Sequence, residues 1–101
     1  MIILEKINII KELVRKYFDE NSMYVGISNM NVEDKEHVIE IGTSILCTKW
    51  EIGFEGGGFV KSVVANDLSG AIGRADGTCI KALKFFCQLS HNVGKPYFET
   101  N

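Results

Sequence analysis

The chain has 101 residues and a formal net charge of −2; 46% of its residues are hydrophobic and 24% charged. That length holds one domain, 1–101, with one modest core, and the apolar content rules against disorder. The near-neutral charge speaks against a strongly acidic nucleic-acid mimic and against a basic duplex-binding domain.

Residues 3–20 read as an amphipathic helix. Leu4, Ile7, Ile10, Val14, Tyr17 and Phe18 recur every three or four positions, with Glu5, Lys11, Glu12, Arg15 and Lys16 mainly opposite. Asn21-Ser22 stops it. Met23–Ser28 reads as a short strand, Asn29–Lys35 as a polar loop, and His37-Val38-Ile39-Glu40-Ile41 as an alternating, half-buried strand. Gly42-Thr43-Ser44 reads as a turn or bulge, and Ile45–Phe54 as further strand with Trp50 and Phe54 on the core face. The punctuation at Gly56-Gly57-Gly58 opens a helix over 59–75, which the poor helix formers near Asn66-Asp67 divide into two pieces. Gly77 is placed to close that helix, and Thr78 to cap a last one running to about His91. Residues 92–101 read as a C-terminal tail.

The fold expected from these elements is α+β: a small antiparallel sheet of three to four strands packed by an N-terminal helix and two C-terminal helices. The last helix is apolar nearly all round (Cys79, Ile80, Ala82, Leu83, Phe85, Phe86, Cys87, Leu89), so burial by a second copy, in a dimer or larger homo-oligomer, is expected.

No apolar run approaches the ~20 residues of a membrane span. The opening Met1–Lys6 lacks the basic n-region of a signal peptide. Cys47, Cys79 and Cys87 cannot all pair within one chain, so free thiols in a cytoplasm are expected.

Little of this points to catalysis. Cys87 and His91 stand one helical turn apart, but a thiol in an apolar helix lacks the cationic surroundings that activate it. With His37 and His91 as the only histidines, there is no C-x-x-C or H-x-x-x-H pair, so neither a metal nor a cofactor is expected. No carboxylate pair shows the opposed environments of an acid and base. The chain reads as a non-enzyme.

A binding site is better supported. Residues 1–55 carry a net −4 and residues 56–101 a net +2, so a small anion suits the C-terminal half. Glycines running into a helix bare backbone N–H groups that favour an anion. The candidate ligand-binding residues are Gly57 and Gly58 through their amides, Lys61 and Arg74 for phosphate, Trp50 and Phe59 for stacking, and Asn66 for a base edge.

The run Gly57-Gly58-Phe59-Val60-Lys61-Ser62-Val63-Val64-Ala65-Asn66-Asp67-Leu68, followed by Ala71, Arg74-Ala75-Asp76 and Asn92, resembles a core pattern of short bacteriophage and prophage proteins, G-[GS]-F-x-x-[AS]-V-[LV]-x-N-D-L-x-x-A-x-x-R-A-D. The resemblance covers about residues 56–92, with His91-Asn92 where such proteins carry Tyr-Asn or a similar pair. It implies a counter-defence setting in a host cytoplasm. One class there sequesters a cyclic nucleotide immune signal without cleaving it; another binds a CRISPR or other effector protein. No binding residue of either class aligns with this chain. The expectation is therefore a sponge for a small anionic nucleotide, and the alternative is a protein-binding inhibitor of a host effector.

Overall fold

The computed structural model describes residues 1–98 and contains six helices, with no strand among the described residues. The expected antiparallel sheet is absent, and the fold is all-α.

Helix α1 (Ile3–Asn21) lies where the apolar spacing puts it, with Ile10, Val14 and Phe18 buried. Helix α2 (Val32–Lys49) runs straight through the predicted strand at 37–41 and takes the first half of the one at 45–54, whose remainder from Trp50 on is turn and loop. The reason lies in a longer window. Val38, Ile39, Gly42, Ile45 and Leu46 are all buried, at the one-three-four spacing of a helical face, and five residues of alternation cannot display that period. The start is also coded locally: the Asn31 side chain accepts the Asp34 N–H at 2.8 Å, and Glu33 and Asp34 occupy the first turn, where the helix dipole favours them. The third predicted strand, 23–28, is a series of turns anchored by buried Ile27.

α1 and α2 form an antiparallel hairpin. Ion pairs run down its length, Lys11 with Glu40, Arg15 with Glu36 at 2.7 Å, and Lys35 with Asp19 at 3.1 Å. Such partly exposed pairs fix register more than they stabilise.

The C-terminal half is built from short helices: α3 (Gly58–Val64), α4 (Leu68–Arg74), α5 (Gly77–Lys81) and α6 (Leu83–Asn92). The predicted break near Asn66-Asp67 is present. Gly77, expected as a closing cap, instead begins α5, whose N-cap is Asp76. The predicted last helix divides at Ala82. Within α6, Phe85, Phe86 and Leu89 face inward while Lys84, Cys87 and His91 are exposed. Of the apolar set expected on one last helix, the chain itself buries Cys79, Ala82, Phe85, Phe86 and Leu89, while Ile80 and Cys87 stay exposed.

The core lies where α6 crosses the α1–α2 hairpin. Phe85 sits at the centre of an aromatic cluster, with ring centroids 5.8 Å from Tyr17, 5.5 Å from Phe18 and 5.8 Å from Phe86. Phe86 extends the cluster to Phe59 of α3 at 5.6 Å. Beyond α6 the chain turns back, and Phe98 is buried with Lys6 over its ring; the rest of the predicted tail, 99–101, lies outside the described residues. No described helix is long and apolar enough to cross a membrane.

Candidate functional site

The joint between α3 and α4 is assembled by residues of the run quoted above. Asn66 takes the left-handed conformation (φ 59) and closes α3, its N–H donating to the Val63 carbonyl at 3.1 Å while the Asp67 N–H donates to Ser62 at 2.8 Å. This pair of bonds is a Schellman closure, and asparagine tolerates its positive φ better than most residues. Asp67 then opens α4, its Oδ1 accepting the Gly70 N–H at 2.9 Å. A Cβ at Gly70 would stand 2.2 Å from Asp67 Oδ2, so glycine is required for the cap to close.

This turn brings α4 back alongside α3 and lays the Arg74 side chain across Gly58. A Cβ at Gly58 would lie 2.8 Å from Arg74 Cδ and 3.1 Å from Nε; one at Gly70 would lie 2.7 Å from Nη1. Two glycines therefore form the seat of this arginine. Its Nη1 is 3.4 Å from the Ser62 hydroxyl, and among the described residues no carboxylate oxygen comes within 4.0 Å of the guanidinium. Close approach accounts for Gly56 and Gly58, whereas a Cβ at Gly57 would meet nothing within 4 Å; none of the three has a positive φ. Gly56 is held against α2, where a Cβ would meet Ser44 Oγ at 2.6 Å, and its N–H donates to Thr48 Oγ1 at 2.9 Å.

Gly58, Lys61 and Arg74 thus line one shallow groove of about 280 Å³ with Ser62, Ala65 and Asp67. Asn66 lines a smaller apolar hollow of about 110 Å³ formed with Val63, Leu68, Ala71 and Cys87; the two share Ser62 and Asp67. Gly57 is the α3 N-cap and receives no side-chain cap. The two proposed stacking residues are elsewhere. Phe59 packs on Phe86, and Trp50, at the C-cap of α2, is half-buried against the core. Both sit in sequence beside the glycine triplet or its approach, and the core claimed them because a large apolar ring gains more from burial than from solvent.

Cys87 reaches the surface rather than lying deep in its helix, yet desolvation by its apolar walls pushes its thiol above the ordinary range. No hydrogen bond joins it to His91 among the described residues. The groove accordingly holds two cations, a carboxylate and a hydroxyl, and the adjoining hollow holds the Cys87 thiol.

A second cluster went unseen in the sequence because its members are 39 and 42 residues apart. His37, in the second turn of α2, places Nε2 2.9 Å from Asp76 Oδ2, and Cys79 Sγ lies 3.9 Å from the same nitrogen. Asp76 is the α5 N-cap, its Oδ1 accepting the Cys79 N–H at 2.7 Å. That bond, then the His37 ring, holds the Asp76 carboxyl below its ordinary value. Burial, and then the neighbouring Asp76, push the Cys79 thiol up to about 12, so by itself it is no nucleophile at neutral pH. The cue available in sequence was Asp76-Gly77-Thr78-Cys79 as a capped helix start; nothing local signals His37.

Compared with known proteins, the chain matches no family model, no curated protein and no solved structure.

The joint itself yields a stability prediction. Asp67→Ala removes the α4 cap and costs about 1 kcal/mol. Asn66→Ala costs about 1–2 kcal/mol through the left-handed φ, whereas Asn66→Gly is close to neutral. Urea denaturation of the three variants checks this; an Asn66→Gly as damaging as Asn66→Ala would show that the side chain, not the backbone conformation, matters there.

Proposed function

We propose that the protein is a non-catalytic binder of a small nucleotide carrying a single phosphodiester charge, the chemistry of a cyclic nucleotide signal. Its phosphate sits at Arg74 and Lys61, and its sugar or base enters the hollow beside Asn66. The observation that carries this reading is Arg74, seated between Gly58 and Gly70 with no carboxylate within 4.0 Å among the described residues. A guanidinium held by steric fit, not by an ion pair, keeps its fork of donors for an incoming phosphate.

The charge balance narrows the ligand. Lys61 and Arg74 face one carboxylate, Asp67, among the groove's lining residues. One surplus positive charge matches one phosphodiester better than a triphosphate. Glu55, exposed and 3.8 Å from Lys61, draws that lysine only weakly. The groove's size suits a mononucleotide portion, and the apolar hollow takes the part of the ligand that gains from leaving water. Sequestration of an immune signal is the setting that the resemblance to short phage proteins implies. With Phe59 and Trp50 turned to the core, the reading does not use base stacking on either.

Thermal melting with cyclic mononucleotides, cyclic dinucleotides, ATP and inorganic phosphate is the test. A ligand at a hundred times its Kd stabilises by about 2.7 kcal/mol, which for a domain of this size raises Tm by roughly 10–20 °C. Arg74→Ala removes charge-assisted hydrogen bonds worth about 1.5–3 kcal/mol and weakens binding about 10- to 100-fold. Gly58→Ala keeps every charge but pushes the flexible Arg74 side chain aside, so it also weakens binding while leaving stability nearly intact. No shift with any nucleotide, or an unchanged shift in Arg74→Ala, refutes the proposal. Co-purification of a host protein with the unliganded chain would favour an effector-binding inhibitor instead.

A further inference from the structure

We propose that His37, Asp76 and Cys79 bind a divalent transition-metal ion of the zinc class, which joins α2 to the short helix α5. The three donors are an imidazole nitrogen, a carboxylate oxygen and a sulfur, and all lie within 4.8 Å of one another. Magnesium and calcium take oxygen ligands, whereas a mixed nitrogen, oxygen and sulfur set selects a borderline ion such as Zn²⁺.

The distances fit such an ion. Bonds of about 2.0–2.3 Å in a tetrahedral arrangement separate neighbouring ligand atoms by roughly 3.3–3.7 Å. The two measured edges, 2.9 Å from His37 Nε2 to Asp76 Oδ2 and 3.9 Å from Nε2 to Cys79 Sγ, lie on either side of that range. Small side-chain rotations bring both into it. At 3.9 Å the thiol gains little from the imidazole, being a weak donor; an ion between them would satisfy sulfur, nitrogen and oxygen together.

The surroundings are also those of a site. The Cys79 N–H holds Asp76 Oδ1, which leaves Oδ2 directed at His37 and fixes the carboxylate's orientation. Cys79 is only 3% exposed and closes the inner side. The side chains of His37 and Asp76, 42% and 57% exposed, leave an entry path from solvent. Binding forms a sulfur–metal bond as the Cys79 S–H bond breaks, and the proton passes to solvent. His37 gives its neutral Nε2 lone pair, Asp76 a carboxylate oxygen, and water completes the fourth position. The inference uses none of the groove's lining residues and is independent of nucleotide binding.

Titrating Co²⁺ into chelator-treated full-length protein tests it. The expected result is a thiolate-to-cobalt charge-transfer band with the visible absorption of tetrahedral cobalt, saturating at one equivalent and displaced by Zn²⁺. Cys79→Ser abolishes the charge-transfer band, and Cys87→Ser leaves it unchanged. His37→Gln, at a half-exposed position that tolerates substitution, weakens cobalt affinity at least about tenfold; it carries the test should Cys79→Ser fail to fold. Absence of the band in the wild-type protein, its survival at full affinity in His37→Gln, or its loss in Cys87→Ser would overturn the assignment.

Discussion

Phe85→Ala lowers the unfolding free energy by about 3–5 kcal/mol, the range for deleting a fully buried aromatic ring. Phe85 has no exposed surface and touches the Tyr17, Phe18 and Phe86 rings at centroid distances of 5.5–5.8 Å. Its ring joins α6 to α1, and Phe86 beside it in α6 carries the contact on to Phe59 of α3. Truncation leaves a cavity that the three surrounding rings cannot collapse into without moving a helix. A domain of this size is stable by only about 5–15 kcal/mol, so the loss is a large share of the whole. It appears in urea unfolding as a lower midpoint at unchanged slope. Phe54, 98% exposed in the turn between α2 and α3, is the matched control: Phe54→Ala moves the midpoint by less than about 0.5 kcal/mol. A Phe85→Ala variant as stable as the control would place the core elsewhere.

That contrast between two phenylalanines bears on what the residues reveal before folding. Both belong to apolar-looking stretches, and the pattern assigned Phe54 to a core face of a strand. What decided otherwise is α2. Its buried stripe spans Val38 to Cys47, bridging the separate windows in which His37–Ile41 and Ile45–Phe54 alternate, and its cap at Asn31 lies in what reads as a polar loop. Short alternation is compatible with both periods, so the choice between helix and strand needed the whole face. α1 was legible because its stripe repeats over five turns. The α3–α4 break was legible because Asn66-Asp67 is chemically a helix end, whatever surrounds it.

The candidate groove was legible only in part, for a related reason. Gly58, Lys61 and Arg74 meet because a Schellman closure at Asn66 and a cap at Asp67 fold α4 back onto α3. Asn66, the expected base-edge contact, serves the turn through its backbone N–H and left-handed φ, and Asp67 through a side-chain oxygen that accepts the Gly70 N–H. Several residues of the run that resembles the phage pattern are thus explained by the geometry of the joint: Gly58 admits Arg74 (with Gly70, outside the pattern), Asn66 and Asp67 make the turn, and Asp76 caps α5. Arg74 makes no ion pair within 4.0 Å among the described residues, although Asp67 stands beside it across Gly70. By contrast, the His37, Asp76 and Cys79 cluster depends on α5 meeting the start of α2, a long-range contact with no local signature.

Gly42 offers the sharpest check of the helical arrangement, because in an α+β fold it would serve as a turn. Here it is buried in the middle of α2, where a Cβ would stand 2.8 Å from Val14 Cγ1 and 3.0 Å from Leu89 Cδ2. Three helices approach closely at this point, and the absent side chain is what lets them. Gly42→Ala sets two opposed effects against each other. Alanine favours the helix by about 1 kcal/mol over glycine, while the overlap with Val14 and Leu89 costs about 1–3 kcal/mol. Gly42→Val enlarges the clash and gains less from propensity, so it destabilises by about 2–3 kcal/mol or more. A turn glycine with a positive φ would show a different signature, with alanine and valine both damaging and no neighbour able to relieve them. The double variant Gly42→Val with Val14→Ala distinguishes the two. Removing the methyl groups that meet the new side chain should make the double variant more stable than the sum of the single losses by about 1 kcal/mol or more. Strict additivity in that cycle would mean that Gly42 and Val14 do not meet, and the packing of α1 on α2 described above would be wrong.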